Sequence, residues 1–302
     1  MERSAEIAEA AARRAGVVVR ALQAPAEMAG AADLVARVWR SPDTTPLEAS
    51  LLRALAHTGN FVAGAFEEGE PLRSEADGRP APGASGPLVG LSVGFLTLTP
   101  KHGLHSHITC TAAGRRDAGL GVALKLHQRA WALAAGLTSI TWTVDPLVGR
   151  NAYFNFAKLG ARAVAYLPDF YGSMGDGLNS GDESDRLFMS WSLSDALPGD
   201  TPAGSRRTHR MESNGCSSLT VGPSEQPRRF DVTSDVVVCQ IPADIVALRD
   251  RDPHLATRWR YALRDALLGP LSAGYRIEGF TRSRCYVLTR DPVQSGTSAA
   301  GE

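Results

Sequence analysis

The sequence predicts an α/β fold (α+β) in which a mixed central sheet is flanked by helices, followed by a small C-terminal α+β extension. Apolar residues make up 43% of the 302 positions, which suffices for a sizeable core. Runs rich in β-branched residues alternate with runs whose apolar residues recur at helical spacing. Stretches of Gly, Pro and charged residues separate them, as expected for surface loops. Strand and helix signals that alternate in this way are typical of a layered α/β domain.

The composition excludes several classes of function. Lys plus Arg and Asp plus Glu both total 32, and this balance argues against a dedicated nucleic-acid binder or a polybasic membrane-surface protein. No apolar run approaches the ~18 residues of a transmembrane helix, and the first residues lack the apolar core of a secretory signal. Four widely separated cysteines and seven histidines show no disulfide or zinc-ligand spacing. We therefore expect a cytoplasmic protein with reduced thiols and no metal.

The first elements follow from local signals. Ser4 is a candidate N-cap with Glu6 in the first turn, and Gly16 ends that helix before a β-branched run begins. In chain order, the predicted elements are a helix over 4–15, a strand over 17–22, helices over 27–39 and from Pro46, and strands over 60–67, 88–99 and 104–112.

The next helix is predicted over 119–134. Its apolar residues, among them Leu120 and Leu124, recur at helical spacing, and Lys125 and Arg129 are predicted to face solvent. A strand over 139–144, a helix over 150–159 and a strand over 186–193 follow. After the leading helix the predicted order is β-α-α-β-β-β-α-β-α-β.

We predict three regions along the chain. Residues 1–193 form the main domain, and residues 194–232, rich in Gly, Ser, Pro and Thr, form a flexible linker. Residues 233–302 form a small α+β extension, with strands over 235–241, 275–281 and 285–288 and a helix over 253–271. This extension is too short to bury a good core alone, so we expect it to pack on the first domain.

A glycine-containing turn between a strand and a helix carries the strongest local signal. It has the pattern R-x-x-G-x-G, as Arg116-Asp117-Ala118-Gly119-Leu120-Gly121. Small residues there let backbone N–H groups and the positive helix N-terminus approach an anionic phosphate. The turn is not a dinucleotide fingerprint, because Leu124 occupies the third glycine position, and it lacks the Gly-Lys-Ser/Thr of a Walker loop.

With these residues the sequence resembles the GNAT superfamily of N-acyltransferases over roughly 17–193, and within it a poorly characterised bacterial branch of predicted acetyltransferases. The resemblance is carried by His105-Ser106-His107, the glycine turn, Thr141-Trp142-Thr143-Val144-Asp145-Pro146-Leu147, Arg150-Asn151-Ala152-Tyr153-Phe154-Asn155, Lys158-Leu159-Gly160 and Phe170-Tyr171-Gly172. It implies a centrally splayed sheet and acetyl-CoA or another acyl-CoA as co-substrate, without a metal. The implied acyl-CoA-binding residues are Cys110, Thr111, Arg116, Asp117, Ala118, Gly119, Leu120, Gly121, Asn151 and Asn155.

The resemblance also implies a reaction, in which an acetyl group passes from acetyl-CoA to a primary amine by direct attack through a tetrahedral intermediate. His105 and His107 alternate on one strand face just before the turn, and a neutral imidazole suits deprotonation of an ammonium group. Alternatively, one or both histidines are packing residues. A strand N–H between Ile108 and Cys110 is the candidate oxyanion donor.

One departure from the family concerns the general acid. A tyrosine often protonates the departing thiolate in such enzymes, but Phe156 stands at that position here. Tyr153 or Tyr171 replaces it, or the thiolate leaves unassisted. Arg150 likewise stands where an asparagine is common, with Asn151 adjacent.

The acceptor is the least defined part of the prediction. Acidic residues concentrate at Asp169, Asp176, Asp182, Glu183 and Asp185. They either attract a cationic amine or form a solvated loop. We expect a small-molecule amine partner, no nucleic acid and no membrane, and leave a homodimer open. The alternatives are a non-catalytic acyl-CoA-binding or regulatory protein and an acyltransferase with a non-amine acceptor.

Overall fold

The computed structural model describes residues 2–39, 47–68, 86–98, 102–115, 119–172, 182–197 and 203–290. The chain divides into two compact units. The first comprises Met1–Thr143, Ser173–Gly181 and Phe188–Ala196, and the second comprises Val144–Gly172, Asp182–Leu187 and Leu197–Glu302.

The first two hundred residues contain every element predicted for them and one further strand, β6 (Arg162–Leu167). The predicted elements are α1 (Glu2–Arg14), β1 (Val17–Ala21), α2 (Pro25–Trp39), α3 (Ala49–His57), β2 (Phe61–Glu67), β3 (Leu88–Thr97), β4 (Gly103–Thr111), α4 (Leu120–Ala134), β5 (Ser139–Val144), α5 (Gly149–Tyr153) and β7 (Arg186–Ser192). A π-helical turn over Phe154–Lys158 continues α5. Sequence analysis missed β6, in which one residue of six is buried, so that the strand has no buried apolar run.

A seven-stranded sheet has the order β1-β2-β3-β4-β5-β7-β6. Strands β1 to β4 pair antiparallel with their neighbours, whereas β4 and β5 run parallel. This mixed sheet flanked by helices confirms the predicted fold class.

Within the first unit, α2 and α3 cover one face of the sheet with a hydrophobic core. Its members include Met28 and Leu34 of α2, Leu52 of α3, Leu91 and Val93 of β3, and Ile108 and Cys110 of β4. Each large side chain buried there contributes roughly 1.5–3 kcal/mol of transfer free energy. This core fixes the position of β3 and β4.

Helix α4 lies on the other face, between the sheet and α1, so both of its sides are covered. The prediction that Lys125 and Arg129 face solvent is therefore wrong, since the two residues are only 4% and 9% exposed. Arg129 donates to the carbonyl oxygens of Leu193 (2.8 Å) and Asp195 (3.2 Å). A helix packed on two sides has no polar face to contribute to solvent.

The second unit contains a five-stranded sheet in the order β11-β12-β10-β8-β9. Its elements are α6 (Ala203–Asn214), β8 (Cys216–Val221), β9 (Pro227–Arg229), β10 (Val236–Gln240), α7 (Ile245–Arg251), α8 (Pro253–Ser272), β11 (Tyr275–Phe280) and β12 (Cys285–Arg290). The prediction of a flexible linker over 194–232 is corrected, because that segment supplies α6 and the strands β8 and β9. Parallel pairing of β8 with β10 stabilises a strand whose Ser-rich sequence gives a weak signal.

In the part of the chain that the structure describes, no helix is both long enough and apolar enough to cross a bilayer.

Candidate functional site

The two central strands of the sheet separate part-way along their length. β4 and β5 pair at Gly103↔Ser139, Leu104↔Ile140 and His105↔Thr141, and the register ends there although both strands continue. Beyond this vertex, the backbone groups on the facing edges of β4 and β5 are released from the β4–β5 ladder. The predicted central splay is thus present, and it opens toward the end of β4 that leads to the glycine turn.

A β-bulge in β4 lies next to the vertex. The register with β3 passes from Gly94↔Ser106 to Val93↔Ile108, which leaves His107 as the extra residue. A bulge lets two residues of one strand oppose a single residue of its partner and redirects the inserted side chain.

The bulge places both predicted histidines against one aromatic ring. The ring centroid of Phe95 lies 5.3 Å from that of His105 and 5.7 Å from that of His107. His105 Nδ1 also lies 3.2 Å from the Thr141 hydroxyl, and its ring stacks on Phe188 at 6.3 Å. The two imidazoles therefore form one cluster at the vertex.

Electrostatics distinguish the two histidines. Burial, together with the nearby His107 and Lys125, lowers the pKa of His105 to about 4, so His105 is neutral at pH 7 and a weak base. Protein packed around part of the ring lowers the pKa of His107 by desolvation, while the residue remains exposed on its open side. His107 is therefore the better placed of the two to take a proton from a ligand.

The opposite face of β4 carries a buried polar network centred on α4. Lys125 Nζ donates to Ser106 Oγ at 2.7 Å and to Gln128 Oε1 at 3.2 Å, and it lies 4.1 Å from the centre of the Trp142 ring. Gln128 Nε2 donates in turn to Ser92 Oγ at 3.2 Å. Burial lowers the pKa of Lys125 to about 7.

The start of α4 has the features that an anionic ligand requires. Gly119 is the N-cap residue with φ 78°, a left-handed conformation that favours glycine, and no side chain caps the helix there. Among the residues that the structure describes, no atom lies within 4 Å of a Cβ added to Gly119, so the surface there is open to a ligand. Leu120 is buried and anchors the first turn, while Gly121 is half-buried. These residues fit a phosphate-binding helix N-terminus. The predicted Arg116, Asp117 and Ala118 lie outside the described residues.

The two predicted strand residues before the turn differ in exposure. Cys110 is buried in the core against α2, and burial raises the pKa of its thiol to about 12. That thiol stays protonated and takes no part in chemistry. Thr111 ends β4 opposite Gly90 and is half-buried. The backbone of this segment, rather than the Cys110 side chain, faces the splay.

The remaining predicted residues belong to the second unit and are already engaged there. Tyr153 OH accepts a hydrogen bond from Arg282 Nε at 3.1 Å, and the Tyr171 ring packs edge-on against Phe170 at 4.7 Å. Asn155 is buried, and its Nδ2 donates to the Asn151 carbonyl at 2.8 Å. Asn151 itself is exposed. The structure thus brings His105 and His107 together, while Tyr153, Tyr171, Asn151 and Asn155 make local contacts within the second unit.

The prediction of a solvated loop is wrong for Asp182 and Asp185, which are buried. Arg260 donates to Asp145 (2.8 and 3.0 Å) and to Asp182 (2.9 Å), and Arg249 binds the same two carboxylates. The arginine charges hold the pKa of Asp145 well below its usual range. Arg264 likewise pairs with Asp185 and Glu183. Arginines of α7 and α8 thus form ion pairs with each of these acids. Asp176 lies outside the described residues, and Asp169 caps the backbone N–H of Ser184.

Sequence reasoning missed Lys125, Ser106 and Thr141 as members of the site. One signal was available, because lysine occurs at three positions of a chain with 32 basic residues. Lys125 shares a helical stripe with Gln128 and Ala132, which are also buried.

The comparisons with known proteins complete the description. No protein-family model and no curated relative matches the chain. Among solved structures, it is similar to an N-acetyltransferase from Staphylococcus aureus Mu50 (12% identity, 59% of this chain and 99% of that chain, TM-score 0.44). It is also similar to an acetyltransferase of the GNAT family from Streptococcus pneumoniae (15% identity, 58% and 98%, TM-score 0.42). A third, from Salmonella typhimurium, was solved with its cofactor acetyl-CoA (14% identity, 60% and 95%, TM-score 0.44). At these TM-scores the likeness supports no conclusion about activity.

Proposed function

We propose that this protein is an acyl-CoA-dependent N-acyltransferase that transfers an acetyl group to a primary amine of a small molecule. The observation that carries the proposal is the splay between β4 and β5, which has an uncapped helix N-terminus at one end and two histidines at its vertex. A splayed pair of parallel strands offers free backbone donors and acceptors to an extended amide-containing chain such as a pantetheine arm.

Different residues of the chain bind acyl-CoA and transfer the proton. Gly119 and the first N–H groups of α4 hold the phosphates, and the β4 backbone beyond the vertex holds the arm. His107 takes the proton of the incoming ammonium group, and Thr141 and Phe95 fix the neutral His105 beside it. Acyl-CoA supplies the activated acyl group.

The phosphate site is tested by calorimetric titration with acetyl-CoA, longer acyl-CoAs and, as a control, NADH. We expect micromolar, CoA-specific binding. Gly119→Asp should weaken it at least about 100-fold, because a carboxylate repels phosphate and the left-handed backbone is strained. Gly114→Asp is the matched control, since Gly114 lies on the same loop, is exposed and has open space around its Cα. Equal acetyl-CoA affinity in Gly119→Asp and the parent would contradict the phosphate-site assignment.

Acyl transfer is tested by thiol release from acetyl-CoA in the presence of a panel of amines and alcohols, with products identified by mass. His107→Asn should reduce the rate by about 10²-fold or more without changing acetyl-CoA affinity. If the products are acetate esters of the alcohols and no amides form, the acceptor is a hydroxyl group and not an amine.

A non-catalytic acyl-CoA-binding protein is the second candidate. Phe156, at the position of the family's acid, is buried and packs edge-on against Tyr286 at 6.1 Å. This side chain supports packing and offers no proton. Tight acyl-CoA binding without thiol release from any acceptor would favour this candidate.

A further inference from the structure

The vertex of the splay is flanked by a buried amine. Ser106 directly follows His105 in β4, and Trp142 directly follows Thr141 in β5, so both come immediately after the last paired residues. Lys125 Nζ contacts both of them, at 2.7 Å from Ser106 Oγ and 4.1 Å from the Trp142 ring centre. The amine therefore lies at the point where the two strands part.

The surroundings of this amine are buried and, in the part of the chain that the structure describes, hold no counter-charge for it. Lys125 and Ser106 are both 4% exposed, and no carboxylate of the residues the structure describes pairs with Lys125. A buried ammonium without an anionic partner is costly, and its usual response is to release the proton. Its pKa of about 7 means that Lys125 can give up and regain a proton at neutral pH.

The Ser106 hydroxyl links this amine to the strand residue that follows the last β4–β5 pair. Because Lys125 Nζ donates to Ser106 Oγ, the serine's own hydroxyl proton is left to donate elsewhere. Gln128 holds the amine in place through its Oε1, and its Nε2 is anchored on Ser92. The arrangement orients one O–H group at the vertex with a proton reservoir behind it.

We propose that Lys125, acting through the Ser106 hydroxyl, supplies the proton that neutralises the thiolate released during acyl transfer. The inference rests on the proposed function. It accounts for the phenylalanine at position 156, because the proton comes from α4 instead of from a tyrosine after β5.

Acyl transfer forms the amide and releases the thiol of CoA. The acceptor nitrogen bonds to the carbonyl carbon, the C–S bond breaks, and its electron pair remains on sulfur. The Ser106 hydroxyl gives its proton to sulfur and takes one from Lys125 Nζ. The acceptor ammonium loses two protons, by way of His107, to water. Lys125 regains one proton from water, so the reaction releases one net proton.

Of the charged and titratable groups around Lys125, none described below is as well placed as Lys125 to donate the proton to Ser106. Across β4, His105 and His107 occupy the other face of the strand, and His105 is neutral at pH 7. On α4, Arg129 is bound to backbone carbonyls and His127 packs near the Phe61 ring at 6.1 Å. β3 contributes the uncharged Ser92, and α1 turns its alanines, Ala8, Ala11 and Ala12, inward while its charged residues are exposed.

The first test measures the pKa of the thiol of bound CoA from thiolate ultraviolet absorbance, which requires no turnover. The parent should lower that pKa by about one unit or more relative to free CoA, because the Ser106 hydroxyl, which Lys125 leaves free to donate, stabilises the thiolate by a hydrogen bond. Lys125→Met should abolish the shift, and Lys158→Met, which removes an exposed lysine, should retain it. An equal thiol pKa in the parent and in Lys125→Met would overturn the inference.

The second test compares pH profiles of acetyl transfer. In the parent, kcat should fall as the pH rises above about 7, where Lys125 loses its proton. Lys125→Met and Ser106→Ala should lower kcat by about 10–100-fold, lose that basic limb and keep the KM for acetyl-CoA. Lys125→Arg, which keeps the charge but cannot release a proton, should not restore the limb. A merely structural lysine would raise KM and leave the limb in place, which would refute the relay.

The two failures are distinguishable. If the parent binds no CoA, the proposed function itself is wrong. If the parent binds CoA and transfers acetyl groups while Lys125→Met and Ser106→Ala keep the parental thiol pKa and pH profile, only the relay is wrong. Ser106→Ala preserves the buried amine, so it decides the matter should Lys125→Met fail to fold.

Discussion

Both compact units bury charged side chains, but they compensate for that burial in opposite ways. In the second unit, the fully buried Arg260 is matched by Asp145 and Asp182, and Arg249 completes the cluster. In the first unit, Lys125 is buried among hydroxyl, amide and indole groups. The arginine cluster keeps its charges through pairing, whereas the lysine is left with a labile proton.

This difference distinguishes a cluster that stabilises the fold from a group that can exchange a proton at neutral pH. Paired charges have pKa values displaced away from neutrality, as the lowered pKa of Asp145 shows, so their protonation does not change in the physiological range. The pKa of Lys125, at about 7, is displaced toward neutrality. A group that titrates near its working pH suits proton transfer.

The largest effect should come from breaking the paired cluster. Arg260→Met leaves Asp145 and Asp182 buried with one arginine between them, and we expect the free energy of unfolding to fall by about 3–5 kcal/mol. Urea denaturation at pH 7 measures this change. If the free energy of unfolding fell by less than about 1 kcal/mol, the two carboxylates would have become hydrated in the variant. The comparison between the paired cluster and Lys125 would then fail.

The same cluster should make the protein acid-sensitive. The folded pKa of Asp145 lies below its unfolded value, so its contribution is present above about pH 4 and is lost as the pH falls through the folded pKa. The difference in stability between the parent and Arg260→Met should therefore shrink below pH 4. Denaturation series at pH 7, 4 and 3 test this, and a constant difference would contradict it.

An intermediate effect of opposite sign should follow removal of the unpaired lysine. Lys125→Met should raise the free energy of unfolding at pH 7 by on the order of 1–3 kcal/mol, since it removes a disfavoured buried amine. The unfolded state binds more protons than the folded state between about pH 7 and 10.4, so parental stability rises with pH there. The gain should accordingly decline toward pH 10. Parallel pH profiles of stability for the two proteins would show that Lys125 is not desolvated.

The smallest effect calibrates the others. Arg229 and Asp265 form an exposed pair at 2.6 Å, with side chains 49% and 56% exposed. Arg229→Gln should change stability by less than about 1 kcal/mol, and moderate salt should remove most of the change. A change as large as that of Arg260→Met would indicate that burial does not govern the strength of these pairs.

The elements near the splay were predictable because their signals are local. Each signal comes from residues that are close in sequence. Examples are the β-branched run Val17-Val18-Val19, the helical spacing of Leu120 and Leu124, and the turn at Gly119. The splay then followed from the resemblance and the proximity of the two histidines from their spacing along the strand. The structure contains the splay and brings the histidines together through the bulge at His107.

What could not be predicted depends on distant packing. Arg129 is buried because α1, more than a hundred residues earlier in the chain, covers the outer side of α4, where Ser4 accepts a hydrogen bond from it at 3.2 Å. Lys125 is buried because its side of α4 packs on Ser106 and Trp142 of the sheet. The strand β8 exists because it pairs with β10, and its own Ser-rich sequence indicates a loop. The acids at 182–185 look solvated until Arg260 and Arg264 are brought to them from α8.

The bulge at His107 also has a consequence for how the protein can be edited. Upstream of it, Ser106 points toward α4, and downstream Thr109, which contacts Ser92, points the same way, three positions later instead of two. Removing His107 would therefore restore an unbroken alternation and leave every other side chain of β4 on its present side. His107 is therefore a residue that can be deleted without changing the register of β4. Deleting this one residue would leave the core packing of β4 intact and remove one imidazole. The deletion would thus separate the stability of the fold from its proposed chemistry.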